Sequence, residues 1–265
     1  MTPENFTHSS VFKDAEKIEN YWKNLQPNLD LGIDSNEKWK IIETFFEQIS
    51  TQNAVFVLIW NAVLNRFIYA VDKRNVFNYP VDLYLADNGV EFSLSTFHPD
   101  TFDANLIMQQ KAFEVLLQAK DKLKVITNMD GLLKNGSGSY IHFLQQAVCI
   151  EIDDAGNSIL FLSYCHDVTH LKKNKTANLI ITEPGEIKMW NFNFETKQLD
   201  EIQSLSKQEK IILNFLARGK SSKEIAEELF ISPLTVDKHR RNLLKKTNCI
   251  DTTAMITYSK IVGLI

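Results

Sequence analysis

Helix start signals crowd the last quarter of the chain and limit it to a set of short helices. Two serines are each followed three residues later by a glutamate, the spacing of a capping box. A third serine precedes a proline, which fits the first position of a helix because its missing N–H needs no partner there. With an aspartate as the fourth start, the caps are Ser206, Ser221, Ser232 and Asp251. Four short helices sharing one apolar seam are predicted.

The third of these helices has two contrasting faces. At 100° per residue, its apolar side chains fall on one side and face the core. The opposite side carries Lys238, Arg241 and Lys245, with Leu234, and is an outward basic ridge. Arg240 lies near the apolar side, so we expect its stem to pack and its head to reach outward. The core-facing residues are Val236, Leu243, Leu244 and Thr247.

Charge is distributed unevenly along the chain. Residues 204–265 hold eleven Lys and Arg against six Asp and Glu, a net charge of +5 in a chain of net charge −4. The preceding 203 residues therefore carry −9. An acidic body with a basic end indicates that only this end meets a polyanion.

The C-terminal segment resembles the LuxR/GerE-type DNA-binding domain. The stretch LSKQEKIILNFLARGKSSKEIAEELFISPLTVDKHRRNLLKKTNCIDTTAMI matches that family's opening, its EIA centre, its IS-x-x-TV-x-x-H turn and its fourth helix. A short helix, a tight turn and a capped basic helix form a helix-turn-helix, whose second helix enters the major groove of DNA. The resemblance implies that Asp237, Lys238 and Arg241 face the bases. Asp237 departs from the lysine of many members, so the sequence preference stays open.

The resemblance also implies further contacts. Backbone phosphates are expected to meet a second set of side chains, which consists of Lys220, Lys223, Thr235, His239, Arg240, Lys245 and Lys246. The fourth helix of this family usually forms a dimer contact, although the same stripe also suits the domain's own core. Its candidates here are Met255, Tyr258, Ile261 and Val262.

The first 200 residues show a different pattern. Helical spacing predicts helices over residues 9–24, 37–49 and 105–123. Strands are predicted by β-branched and aromatic runs: AVFVLIW, RFIYAV, KVITNMDGLL, SYIHFLQQAVCIEID and SILFLSYCHDV. Two strands, helices and then three strands indicate an antiparallel sheet with helices on one face. The segment around EPGE reads as a hairpin continuing the sheet, with TKQLDEIQS as the connector.

This order resembles a PAS domain, together with the HPD at residues 98–100, the NGSGSYIHF hairpin, the DDAGN turn and the closing HDVTHLK. The resemblance implies a sensor or dimerisation module with a small-molecule cavity as an option. The fold class is therefore α+β, a PAS-like antiparallel sheet with flanking helices followed by an all-α four-helix domain. We expect N-terminal helices over 1–44, the PAS-like domain over 45–172, a hairpin and connector over 173–203, and the helix-turn-helix domain over 204–265.

No cofactor or metal is predicted. The three cysteines are widely spaced, and the histidines form no HExxH or HxH pair. The cysteine motif of flavin-binding PAS sensors is absent, and His98 and His142 read as ordinary turn or strand histidines. Residues suited to line a cavity are also those of a filled core, and we favour a core that is filled or whose cavity stays unassigned. These candidates are Met108, Phe113, Met129, Phe143 and Cys149.

The sequence favours a one-component transcription regulator that binds double-stranded DNA as a homodimer and receives a small-molecule or protein signal at the PAS-like part. No catalytic triad, paired acid and base or P-loop is visible, so an enzyme is not expected. A PAS-type cofactor or light sensor, and a protein-interaction platform, stay open as alternatives. Without an apolar run of eighteen residues or a signal-peptide pattern, we expect no membrane contact and a cytoplasmic location.

Overall fold

The computed structural model describes residues 36–53, 55–173 and 175–265. The helix predicted over residues 9–24 lies outside this range. A long helix α1 (Asn36–Asn53) leads into strands β1 (Phe56–Asn61) and β2 (Arg66–Val71). Two short helices, α2 (Asp82–Leu85) and α3 (Gly89–Ser95), and a long one, α4 (Pro99–Gln118), follow before a 3-10 turn at Lys122–Lys124.

Six more strands and four helices complete the described chain. The strands are β3 (Ile126–Lys134), β4 (Tyr140–Ile152), β5 (Ser158–Asp167), β6 (Asn178–Glu183), β7 (Glu186–Asn193) and β8 (Gln198–Ile202). The helices are α5 (Lys207–Ala217), α6 (Ser222–Leu229), α7 (Pro233–Thr247) and α8 (Thr252–Ile261).

The eight strands form one antiparallel sheet in the order β2-β1-β5-β4-β3-β6-β7-β8. The five strands predicted from apolar runs are present, and the hairpin around EPGE extends the sheet from β3 as predicted. The predicted α+β fold class, with an antiparallel sheet and a C-terminal helical domain, is confirmed.

Two predictions about this region are wrong. Helix α4 begins at Pro99 and ends at Gln118, instead of spanning 105–123. The Nδ1 atom of His98 accepts from the backbone N–H of Asp100 and starts the helix early, while Ala119 adopts extended backbone and stops it. The expected connector is mostly strand, because Gln198–Ile202 pairs with β7 as β8.

The sheet separates two packed layers because successive residues of a strand point to opposite faces. On β3, Thr127 and Met129 face a cavity beneath helix α4, whereas Asp130 lies on the other face among residues of the C-terminal helices. On β4, Gln145 faces the cavity and Leu144 packs with the C-terminal core. Helix α1 covers the remainder of that second face next to β1 and β5 through its apolar side.

The four C-terminal helices dock on the sheet instead of standing apart from it. Their core joins that of β4, β6 and β7 in one apolar cluster, with Leu144, Ile180 and Met189 on the sheet side and Ile212 and Leu243 on the helix side. No helix of the described residues is long and apolar enough to cross a membrane.

Candidate nucleic-acid interface

Local hydrogen bonds build a helix-turn-helix from α6 and α7. The Ser221 Oγ accepts from the backbone N–H of Glu224, whose carboxylate accepts from the Ser221 N–H at 2.8 Å. Helix α6 ends at Leu229, and the following Phe230 adopts a left-handed conformation with φ of 53° and turns the chain. Helix α7 then starts at the Ser232 cap, where Oγ accepts from the Thr235 N–H at 3.1 Å. The predicted caps are therefore present.

Helix α7 has the two faces that its sequence predicts. Its inner face is buried through Val236, Leu243 and Thr247, while Leu244 is half-buried. Lys238, Arg241 and Lys245 are exposed on the outer face. Within the described part of the chain no ion pair involves these three side chains, which we call the basic ridge. Their positive charge is therefore available to an external anion.

Asp237, which the family resemblance places beside the ridge, is held by the protein. Its Oδ1 accepts from the Ser222 hydroxyl at 2.7 Å and lies 3.5 Å from an Arg240 nitrogen. Arg240 in turn donates to Ser222 at 2.7 Å and to Thr252 at 3.0 Å. These contacts join α6, α7 and α8, so both side chains have a structural role in this conformation.

The remaining predicted cations divide into engaged and free groups. Lys246 donates to the Glu209 carboxylate at 2.7 Å and to the Ser204 carbonyl at 3.1 Å. Burial alone would raise the pKa of Glu209, but Lys246 outweighs it and holds that pKa below its usual range. Lys220 is paired with Glu228. Lys223 is exposed, and no ion pair of the described residues includes it.

The C-terminal helices also match a known family. Residues 203–259 match the family "Bacterial regulatory proteins, luxR family". These residues form a LuxR-type helix-turn-helix domain. We use "LuxR-type domain" below for helices α5 to α8.

Curated relatives match over segments of similar length. The regulatory protein SdiA of Escherichia coli strain K12 is 45% identical over 62 residues, which are 23% of this chain and 26% of that protein. The transcriptional regulatory protein LiaR of Bacillus subtilis strain 168 is 46% identical over 57 residues, 22% of this chain and 27% of that protein. The chain thus covers about a quarter of the length of these relatives.

Solved structures align over more of the chain at lower similarity. The Vibrio cholerae VqmA dimer without target DNA aligns over 84% of this chain and 88% of its own, with 15% sequence identity and a TM-score of 0.30. A sensory box histidine kinase/response regulator from Burkholderia thailandensis aligns over 47% of this chain and 84% of its own, with 17% identity and a TM-score of 0.34.

Two further predicted phosphate contacts, Thr235 and His239, differ in their surroundings. The Thr235 hydroxyl lies 2.9 Å from the Ser232 hydroxyl within the α7 cap. His239 is half-buried, and its Nδ1 atom has no hydrogen-bond partner among the described residues. Their roles on DNA stay predictions.

The predicted dimer residues lie inside the chain in this conformation. Met255, Tyr258 and Val262 are buried, and Ile261 is half-buried. The Tyr258 hydroxyl donates to Asp130 of strand β3 at 2.7 Å, so this side chain faces the sheet. A dimer through Tyr258 would require that contact to open, and the dimer role stays a prediction.

A cavity of about 180 Å³ lies between the sheet and α4. Of the five candidate residues, Phe113, Met129, Phe143 and Cys149 line it, whereas Met108 is buried elsewhere in the same core. Its described lining includes no charged side chain. Polar groups are few, and two of them pair with each other, since Gln145 donates to the Ser163 hydroxyl at 2.9 Å. The cavity therefore suits a small uncharged molecule.

Sequence reasoning missed the partners that hold the engaged cations. Ser222 and Glu209 were identifiable as cap-region residues, yet their contacts with α7 join residues 15 to 37 positions apart. Sequence alone also gave no pairing for Asp130. The one available signal was a carboxylate inside a predicted strand, in the run NMDGLL.

Proposed function

We propose that this chain is a sequence-specific DNA-binding transcription regulator whose sheet domain senses a signal and controls the LuxR-type domain. The observation that carries the proposal is the basic ridge of Lys238, Arg241 and Lys245. It is exposed, unpaired within the described chain, and carried on the second helix of a capped helix-turn-helix. That helix is the element that enters the major groove in this motif.

The three side chains of the basic ridge have different expected contacts with DNA. Lys238 lies in the second turn and Arg241 at the start of the third, on the face that the family resemblance directs toward base edges, and Arg pairs well with guanine. Lys245 lies in the last turn and is placed to neutralise phosphate. Lys223 adds a free charge from α6. Binding as a homodimer would double these contacts on two half-sites about one helical turn apart.

A selection experiment tests this proposal. Duplexes bound by the full chain are selected from a random library, and fluorescence anisotropy then compares the selected duplex with a scrambled one. Ala substitution of Lys238 or Arg241 should reduce the preference for the selected duplex by about 5- to 150-fold. Lys245→Ala should weaken binding to both duplexes alike.

Lys210→Ala is the matched control, since Lys210 is an exposed lysine of α5 outside the ridge. Its binding should equal that of the unmodified chain. The proposal fails if the unmodified chain shows no preference for any selected duplex, or if the ridge variants keep that preference in full.

The cavity is our proposed sensing site. A ligand of this site is uncharged and small, because the space is about 180 Å³ and its described lining has no charged side chain. Ala147→Phe would fill the space from strand β4, which lines the cavity through Ala147. We expect this variant to bind the selected duplex but to lose any change that a cell extract causes in the unmodified chain. An equal response in both proteins contradicts this assignment.

A further inference from the structure

Two apolar side chains at the start of α7 are unusually open to solvent. Among the described residues, no large apolar side chain is more exposed than Phe230 at 95% and Leu234 at 70%. Phe230 lies in the turn before the helix. Leu234 lies in the first turn of the helix, on the same face as the basic ridge. Because it is exposed to solvent, Leu234 contributes little apolar burial to the stability of the fold.

Leu234 continues the ridge at helical spacing. It precedes Lys238 by four residues and Arg241 by seven, so the three side chains share one face. The neighbouring carboxylate of Asp237 is turned toward Ser222 at 2.7 Å and does not extend this stripe. The stripe therefore presents one apolar group followed by two cations.

We propose that Leu234 reads a thymine methyl group in the major groove, and this inference rests on the proposed function. The thymine methyl is the apolar group that the major groove displays, and small apolar side chains contact it. The first turn of a recognition helix is the part that reaches the bases. Leu234 thus specifies one thymine in each half-site, beside the bases read by Lys238 and Arg241.

Replacement of thymine by deoxyuridine removes this methyl group alone and provides the test. Each thymine of the selected duplex is exchanged in turn, and the Kd is measured by anisotropy. For the unmodified chain we expect one thymine per half-site whose exchange weakens binding about three- to fivefold, the effect of one buried methyl group. Leu234→Ala should bind equally well with and without that methyl. Ile211→Ala, at an exposed apolar residue of α5, should behave as the unmodified chain does.

The outcomes separate this inference from the proposed function. If the unmodified chain prefers the selected duplex but no thymine is sensitive, or if Leu234→Ala keeps the same methyl dependence, only the Leu234 assignment is overturned. If the unmodified chain prefers no duplex, the proposed function fails and Leu234 has no base to read.

A second inference comes from a buried charged cluster between the sheet and the LuxR-type domain. Asp130 of β3 is fully buried, and the Lys172 ammonium lies 2.8 Å from its Oδ2 atom. Tyr258 of α8 donates its hydroxyl to the same oxygen at 2.7 Å, and Asn178 donates to both oxygens at 2.8 Å. His142 Nε2 lies 3.3 Å from Oδ1. We call these five side chains the Asp130 cluster.

The LuxR-type domain completes this cluster. Lys172 Nζ donates to the Thr247 carbonyl at 2.7 Å and lies 3.6 Å from the centre of the Tyr258 ring. Asn248 donates to Asn178 at 2.7 Å, so the cluster extends into the α7–α8 turn. Buried charges are costly unless they are paired and fully hydrogen-bonded. The cluster is therefore fully satisfied only while the domain is docked.

Backbone bonds join the same two segments. The N–H of Ile250 donates to the Leu171 carbonyl, and the N–H of Lys173 donates to the Asn248 carbonyl, both at 3.1 Å. Cys249 lies between these two bonds and is fully buried. Its backbone forms an isolated antiparallel β-bridge with Lys172. At the far end of α8, Gln146 of β4 donates to the Ile261 carbonyl at 2.7 Å.

We infer that the Asp130 cluster is a latch that holds the LuxR-type domain on the sheet face opposite the cavity. The latch covers Tyr258 with the chain's own sheet, so no second copy can use that side chain until the latch opens. Strand β3 carries both Asp130 and cavity residues on its two faces, which places the latch one strand thickness from the proposed sensing site.

The native thiol of Cys249 reports on this latch. Burial raises the pKa of Cys249, which further protects the thiol while the domain is docked. A thiol reagent followed by peptide mass spectrometry gives the labelling rate at each cysteine. Cys149 and Cys165 are buried on the cavity side of the sheet and serve as internal references.

Removing one hydroxyl should open the latch selectively. Tyr258→Phe loses a hydrogen bond to a buried charge, so we expect Cys249 to label about 10- to 100-fold faster while the two reference thiols keep their rates. Gln146→Ala, which leaves the charged cluster intact, should raise the Cys249 rate by a smaller factor of about 2 to 10. Tyr164→Phe, a half-buried tyrosine on the α1-covered part of the sheet, is the matched control and should change nothing. Equal labelling of Cys249 in Tyr258→Phe and the unmodified chain overturns the latch, as does a parallel rise at all three thiols.

Discussion

Lys245 and Lys246 are adjacent lysines for which the structure predicts opposite behaviour. Lys245 is exposed on the basic ridge, whereas Lys246 is 2.7 Å from the carboxylate of the buried Glu209. A cation that already neutralises a carboxylate of its own chain releases few counterions from DNA. Of these two lysines, only Lys245 should therefore contribute to the salt dependence of DNA binding.

The free cations set the expected magnitude. Among the predicted DNA contacts, four side chains per copy are exposed cations outside the ion pairs of the described residues: Lys223, Lys238, Arg241 and Lys245. If each meets a phosphate or displaces one counterion, log K falls with log salt at a slope near −3.6 per copy, or about −7 for a dimer. Lys245→Ala should make the slope shallower by about 0.9 per copy. Lys246→Ala should leave it unchanged.

Stability should respond in the opposite order. Lys246→Ala leaves the Glu209 carboxylate without its cation and is expected to lower the free energy of unfolding by about 2–3 kcal/mol, the cost of a lost hydrogen bond to a charged group. Lys245→Ala should change it by less than about 0.5 kcal/mol, as is usual for a surface substitution.

Anisotropy titrations of the selected duplex between roughly 50 and 200 mM KCl measure the slopes, a range over which such contacts alter affinity strongly. Urea unfolding of the same proteins measures stability. A Lys246→Ala slope as shallow as that of Lys245→Ala would refute the division into engaged and free cations.

Three further predictions concern stability. Ser232→Ala removes the α7 cap and should cost about 1 kcal/mol in urea unfolding; an unchanged midpoint would show that the cap bond is dispensable. Burial alone would raise the pKa of Asp130, but Lys172 and His142 outweigh it and hold that pKa well below its usual range. The stabilising effect of the Asp130 carboxylate should be complete above about pH 4 and should decline as the pH falls toward the folded-state pKa. Urea midpoints that stay constant between roughly pH 5 and pH 2 would contradict this prediction. Gly136→Ala places a Cβ atom 1.6 Å from the Asn78 carbonyl oxygen. Gly138→Ala meets no atom nearer than 3.9 Å and costs only the strain of its positive φ of 87°, so thermal unfolding should show a far larger loss for Gly136→Ala.

Local features of this fold follow directly from the sequence. The serine caps, the two faces of α7 and the first five strands depend on residues a few positions apart, where spacing fixes geometry. The basic ridge was predictable for the same reason, since a helix start and a rotation of 100° per residue place Lys238, Arg241 and Lys245 together.

Long-range contacts were not predictable in this way. Tyr258 and Asp130 are 128 residues apart, and no local spacing connects them. The stripe of α8 that suits a dimer contact suits an intramolecular one equally well, because both need the same apolar side chains. The predicted ends of α4 were wrong for a related reason. The cap at His98 depends on a side-chain orientation that composition does not reveal.

The central claim is that the basic ridge lies in the major groove of a selected duplex, and site-directed cross-linking tests it directly. Arg241→Cys is combined with duplexes that carry a disulfide tether on cytosine N4 in the major groove or on guanine N2 in the minor groove. The native cysteines at 149, 165 and 249 are buried in the docked conformation, and Cys249→Ser is added because opening of the latch would expose that thiol. We predict that Arg241→Cys links to the major-groove tether within a half-site and not to the minor-groove tether, while Lys210→Cys links to neither. Equal linking from positions 241 and 210, or linking of position 241 to the minor groove alone, would contradict the account.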